Sequence, residues 1–291
     1  MRPTQVAQLL ALALVWGGAY LFMRASAPAF GAAPMAFLRM LLGSALVLLP
    51  LMLWRTGLRP LLQHWRKLAV MGVVFTALPF LGLGFAALSI SAGMLAILQS
   101  AAPLFAALVA RIWLGETIGR RRALGLAIGF AGVALLVWDK VGIREDAGVA
   151  VLVTLLVTAL WGVSSNYARV KMQGIDPIVS AAGSIGIAAV VLLPIAVATW
   201  PVQMPPTRAW FEVLFLGIAA SGLGFVLYFR LLAQVGAVRA TSVTFLNPVV
   251  AMASAAVYLG EPVSFRMLIG CAVVITGTAL TLGLLPRPRS R

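Results

Sequence analysis

The chain has 291 residues, 62% hydrophobic and 10% charged, with mean hydropathy +1.05 and net charge +15. Soluble domains average about 45–50% apolar and about 25% charged residues, so a surface this poor in charge excludes a dissolved monomer and marks an integral membrane protein. One cysteine, Cys271, and one histidine, His64, exclude a disulfide framework, a cysteine-ligated metal site and the usual zinc, haem and triad constellations.

A helix needs about 20 apolar residues to cross the hydrocarbon core. In chain order, ten segments qualify: 4–24, 34–53, 68–88, 93–114, 124–138, 147–167, 177–199, 211–232, 241–259 and 265–284. The first ends near Ala25-Ser26-Ala27, which resembles a signal cleavage site. Its apolar run is longer than a signal peptide's and its basic lead is thin, so it reads as a retained helix. The second carries Arg39, the third Pro79, and the fourth Gln99, Ser100 and Pro103. The fifth opens on Gly125-Leu126-Ala127-Ile128-Gly129, a small-residue face for packing or dimerisation. The sixth holds Trp161, Ser164, Ser165 and Asn166, the eighth Tyr228, and the ninth Thr244, Asn247 and Pro248. No segment has soluble-domain patterning, so residues 1–291 read as a single membrane domain of all-α class.

Connections are short and hold most of the charge. With both termini cytoplasmic, the inner side collects Arg2, Arg55, Arg59, Arg66, Lys67, Arg111, Arg120, Arg121, Arg122, Arg169, Lys171, Arg230, Arg239, Arg287, Arg289 and Arg291. The outer side collects only Arg24, Lys140, Arg144, Arg208 and Arg266, a bias of sixteen to five that sets the orientation. Five acids (Asp139, Glu145, Asp146, Glu212 and Glu261) fall outside. The positive charge is therefore orientation charge in short clusters, and no nucleic-acid surface is expected.

The two halves echo each other. Trp16-Gly17 answers Trp161-Gly162, Pro103 answers Pro248, Leu114-Gly115-Glu116 answers Leu259-Gly260-Glu261, and Gly125 and Gly132 answer Gly270 and Gly277, all 145 apart. Leu48-Leu49-Pro50 answers Leu192-Leu193-Pro194 at 144, and Gly82-Leu83-Gly84-Phe85 recurs as Gly222-Leu223-Gly224-Phe225 at 140, by an indel or by chance. Two units of five helices, 4–145 and 146–291, would enter the membrane with opposite orientation, because five is odd. Such inverted repeats alternate between outward- and inward-facing states around a midplane site, which points to a transporter.

Polar side chains in the spans face partner helices or a wet cavity. The candidate cavity residues are Trp16, Tyr20, Arg39, Gln99, Trp161, Ser165, Tyr228 and Asn247. Trp16 and Trp161 lie near helix centres, either as aromatic walls for substrate or as filler between repeats. Arg39 lies about 7–8 Å into its helix at 1.5 Å per residue. It attracts a substrate carboxylate, or, in the preferred reading, snorkels to headgroups or caps carbonyls. Its counterpart is taken as Ala182 or Gly183. Gln99 and Asn247 stand within a turn of Pro103 and Pro248, where a missing N–H frees a carbonyl. Tyr228 faces the pathway or anchors an interface. Pro79, Pro103 and Pro248 are hinge or kink positions, as are Pro50 and Pro194.

No carboxylate and no Lys/Arg cluster is expected mid-membrane, which disfavours cationic drugs and organic phosphates as cargo. Neutral or zwitterionic, partly apolar solutes remain.

The sequence resembles the drug/metabolite transporter superfamily in its ten-helix EamA-type branch. The residues behind this are Leu12-Ala13-Leu14-Val15-Trp16-Gly17, Phe37-Leu38-Arg39, Pro103 with Leu114-Gly115-Glu116, and the second-half Trp161-Gly162, Pro248 and Leu259-Gly260-Glu261. The resemblance implies a multi-pass carrier of the bacterial inner (plasma) membrane, in which helices one to four of each repeat surround a cavity and the fifth packs behind. Similarity to YddG-like exporters of aromatic and neutral amino acids implies amino-acid export by alternating access. The expectation is thus a secondary transporter rather than an enzyme, without cofactor or metal, whose partners are a small-molecule substrate and membrane lipid, as a monomer or weak homodimer. Carriers of amphipathic drugs or sugar-derived metabolites, a channel, and a non-transport membrane protein are the rival expectations.

Overall fold

A computed structural model describes residues 2–138, 145–236, 240 and 242–284, the side chains of Glu145 and Asp146 excepted. The charged residues Asp139, Lys140, Arg144, Arg239, Arg287, Arg289 and Arg291 lie outside the described residues, as does Thr241, the expected start of the ninth segment. Hydrocarbon offers no partner for backbone polar groups, so a chain this apolar satisfies them within helices. Among the described residues no strand occurs.

Seven helices are long and apolar enough to span a bilayer: α1 (Pro3–Phe30), α2 (Ala32–Thr56), α3 (Arg59–Ala86), α4 (Ala92–Leu114), α6 (Ala147–Lys171), α7 (Pro177–Ala198) and α8 (Thr207–Val235). Two shorter apolar helices, α9 (Val243–Leu259) and α10 (Phe265–Thr281), follow. Helix α5 (Arg120–Val137) begins on the arginines 120–122, ahead of the expected start at residue 124. Likewise α3 starts at Arg59, well before residue 68, and takes Arg66 and Lys67 into the helix.

Helix ends explain the Leu-Gly-Glu motif. Gly115 and Gly260 close α4 and α9 at φ +69° and +66°, the left-handed conformation that a side chain disfavours. Their N–H groups donate to Ala110 O and Ala255 O, again 145 apart. The glutamate after each glycine also donates its backbone N–H to that same carbonyl, at 3.3 Å for Glu116 and 3.2 Å for Glu261.

Packing repeats across the halves. Helix α1 packs on α9 as α6 packs on α4, and α2 packs on α8 as α7 packs on α3. The pairs α2–α7, α4–α9 and α5–α10 join equivalent helices. Exchanging the two halves leaves this pattern unchanged. Glycines set the contact distances: a Cβ on Gly17 would lie 2.5 Å from Val250 Cβ, and one on Gly162 would lie 2.7 Å from Phe105 Cβ, the same pair displaced by 145. The small face of α5 is filled from within the chain, since a Cβ on Gly125 would lie 2.6 Å from Thr281 N and 2.8 Å from Gly277 O of α10.

Helices α2, α3 and α8 contain π-helical turns at Ser44–Leu48, Val73–Ala77 and Phe215–Leu223, whereas α7 is α-helical throughout. A π turn accommodates an extra residue. The turn in α2 therefore accounts for Pro50 and Pro194 standing 144 apart, where residues before it keep the 145 spacing.

Candidate functional site

The π turns supply the first element of the site, because an i→i+5 ladder leaves a carbonyl for another donor. Trp16 Nε1 of α1 donates to Ala220 O of α8 at 3.1 Å, and Trp161 Nε1 of α6 donates to Phe75 O of α3 at 3.3 Å. Both donors and both acceptors are separated by 145. Each indole also meets a phenylalanine edge-on: Trp16–Phe225 and Trp161–Phe80 both have centroids 5.8 Å apart, at 65° and 63°. Between the expected roles of substrate wall and packing, each tryptophan has a fixed polar anchor beside an aromatic face. The same pairing assigns Phe80 to Phe225, so the Gly-Leu-Gly-Phe echo at 140 is fortuitous.

The motif glutamates supply the second element. Arg24 Nε donates to Glu261 Oε1 at 3.2 Å, and Arg169 pairs with Glu116, once more displaced by 145 at both partners. Arg24 also donates to Ala87 O and Leu88 O, and Glu261 accepts Ala92 N at 3.0 Å. Each pair fastens the first helix of one half to the end of the fourth helix of the other.

Arg39 breaks the symmetry. It is 7% exposed, so it neither snorkels nor reaches an interface, which corrects the preferred reading. Its Nε donates to Ser221 Oγ at 2.8 Å, its Nη1 to Met23 Sδ at 3.0 Å, and its guanidinium lies 4.3 Å over the Phe80 ring. Tyr20 is partly buried against the same core as Met23. The counterpart of Arg39 is Ser184 and not Ala182 or Gly183. A Cβ on Gly217 would meet Leu42 Cβ at 2.5 Å and Arg39 O at 3.3 Å, while one on Gly72 would meet Ile187 Cβ at 2.9 Å and Ser184 O at 2.8 Å. The 144 spacing at Pro50 lies beyond the extra residue of the π turn and so does not apply at Arg39, which precedes it.

Other expected residues divide. Helix α4 breaks at residues 100–101, directly before Pro103, and the carbonyls Leu98 O and Ser100 O accept Thr158 and Thr278 hydroxyls at 3.5 and 3.4 Å. Gln99 is buried there with neither amide atom partnered, and Asn247 Oδ1 is similarly buried and unpartnered. Pro248 sits inside an unbroken α9, while Pro79 follows the π turn of α3. Ser165 bonds back to Gly162 O in its own helix, and Asn166 donates to Ala106 O at 2.9 Å, tying α6 to α4. Tyr228 stacks against Trp16 at 5.3 Å. Glu212, expected as an outer acid, is buried and pairs with Arg208 at 3.1 Å. Phe80, Phe225 and Ser221 were missed in the sequence, although displacing Phe80 by 145 reaches Phe225. Among the described residues no three His, Cys, Asp or Glu side chains form a metal-ligand group.

A family model for the EamA-like transporter family matches residues 4–138 and again 148–283. The chain belongs to this family. The uncharacterized transporter YvbV of Bacillus subtilis (strain 168) is 26% identical over 287 residues, covering 96% of this chain and 92% of that protein. A protein of Streptantibioticus cattleyicolor named a probable terminal-alkyne amino-acid exporter is 24% identical over 283 residues, covering 96% and 94%. One solved crystal structure superposes with TM-score 0.69 at 21% identity, covering 100% of this chain and 99% of the other, and so shares the fold. The protein is a membrane-embedded, multi-pass transporter.

Proposed function

We propose that this transporter exports neutral or aromatic amino acids, or related small metabolites, across the bacterial inner membrane by alternating access. In this reading ten helices cross the membrane as two inverted repeats, residues 4–145 and 146–291, with both termini cytoplasmic. The observation that carries it is the doubled ion pair, Arg24–Glu261 and Arg169–Glu116. Inverted repeats put the two pairs on opposite membrane faces, where one opens as the other closes. The side chains of the Arg169–Glu116 pair are 54% and 38% exposed, and pairs this exposed contribute about 0–1 kcal/mol. A barrier of that size is small enough for substrate binding to shift, provided the substrate binds the two states differently. The indole–carbonyl anchors hold the aromatic faces of Trp16, Phe225, Trp161 and Phe80 in place for an apolar or aromatic side chain. The amino-acid exporter among the relatives supports the cargo class.

The test is flux of labelled phenylalanine into liposomes containing the purified protein, with and without a pH gradient. The expected result is saturable, trans-stimulated flux; drugs or sugar phosphates moving in its place overturn the cargo.

A further inference from the structure

We propose that Arg39 is the receptor for a carboxylate on the cargo, an assignment that rests on the transport reading above. Four observations converge on it. First, Arg39 is a cation in the packed interior, and no carboxylate among the described residues lies within ion-pair distance of it. Second, its hydrogen-bond partners are poor substitutes for an anion: a neutral hydroxyl on Ser221 and a thioether sulfur on Met23, a weak acceptor. They engage two of its five N–H groups, and the others have no hydrogen-bond partner among the described residues. A guanidinium fork of this kind matches a carboxylate by two parallel bonds.

Third, the guanidinium plane is held. It lies over Phe80, which meets the anchored Trp161 edge-on, while Ser221 fixes Nε. The charged fork thus sits beside an aromatic wall, the combination that a zwitterionic or acidic solute with an apolar body requires. Fourth, the fold does not demand a cation here. The mirror position is Ser184, which bonds only its own helix at Ala181 O, 3.3 Å. The same helix packing is therefore made with a small hydroxyl in one half and an arginine in the other. Ser221 is a positioning residue, aiming the guanidinium without touching the cargo.

The experiment measures binding of L-phenylalanine and of L-phenylalaninamide, which lacks the carboxylate, to the purified full-length protein through intrinsic tryptophan fluorescence, alongside liposome flux of phenylalanine. The wild type is expected to bind the acid about 10- to 100-fold more tightly than the amide, the range of hydrogen bonds to a charged group. R39Q removes that preference and R39K keeps part of it. S221A weakens the acid several-fold and leaves the amide unchanged. Equal affinities in the wild type, or a preference that survives R39Q, overturn the assignment. If R39Q does not fold, the wild-type ratio and the S221A selectivity decide. Flux of phenylalanine without acid preference overturns Arg39 alone, whereas absence of both phenylalanine flux and binding overturns the amino-acid reading and this inference with it.

Discussion

The two halves of the molecule agree in their fastenings and aromatic faces and differ in their polar lining. Indole anchor, phenylalanine edge, arginine–glutamate pair and left-handed glycine cap all occur twice at a spacing of 145. The residues that break the pattern are polar or backbone-disrupting: Arg39 against Ser184, the helix break before Pro103 against the continuous helix at Pro248, and Gln99, whose position in the second half is held by Thr244. The division has a physical reason. Under the alternating-access reading proposed above, exchange between two mirror-related states works when the contacts made and broken have similar strength in both, so the fastenings gain from symmetry. A small solute has no two-fold axis, so its charged or polar end gains nothing from a doubled partner, whereas the doubled aromatic faces enclose its apolar body.

This contrast can be broken at its firmest point first. Gly132 and Gly277 are equivalent in sequence, yet a Cβ on Gly277 would meet the Gly129 backbone and lie 2.7 Å from Gly125 O, while on Gly132 two of the three nearest atoms are valine methyls at 2.9 Å. Backbone moves less readily than a side chain. G277V is expected to destabilise by about 3 kcal/mol and G132V by about 1–2 kcal/mol, read from unfolding midpoints in detergent. Equal losses would mean that the α5–α10 seam is more compliant than its geometry implies.

The ion pairs come next. Glu261 is the more enclosed partner, at 16% side-chain exposure against 38% for Glu116. E261Q is expected to slow flux about tenfold and E116Q about threefold, as removal of a partly buried charge partner costs more than removal of an exposed one. Cysteine labelling from each side of the membrane should rise on opposite faces in the two variants. Labelling that rises on the same face for both would remove the paired-gate mechanism.

The smallest expected effect is in the indoles. W16F and W161F each delete one N–H donor while keeping a ring, a loss of about 1 kcal/mol. Flux should fall about fivefold in each, within a factor of two of one another. A large effect in only one variant would assign that tryptophan to cargo and return the other to packing.

Much of this architecture was legible in the residues. Apolar runs announced the helices, because lipid leaves a backbone no other way to satisfy its polar groups. The glycine of Leu-Gly-Glu announced a helix end, and the 145-residue echo announced two equivalent units. What a linear reading misplaced were positions that depend on a neighbour. The reach of Arg39 depends on Ser221, 182 residues away, and its equivalence to Ser184 depends on an extra residue in a π turn.

The sequence by itself determined that this is a helical membrane protein built twice, since composition and periodicity are local properties that every segment carries alone. Only the tertiary structure decided which arginine faces which glutamate, which carbonyl receives each indole, and why one buried cation has no acidic partner among the described residues. Those are pairings between distant helices, and helices of similar apolar composition present nearly equivalent surfaces until glycine contacts and a handful of polar groups select one arrangement.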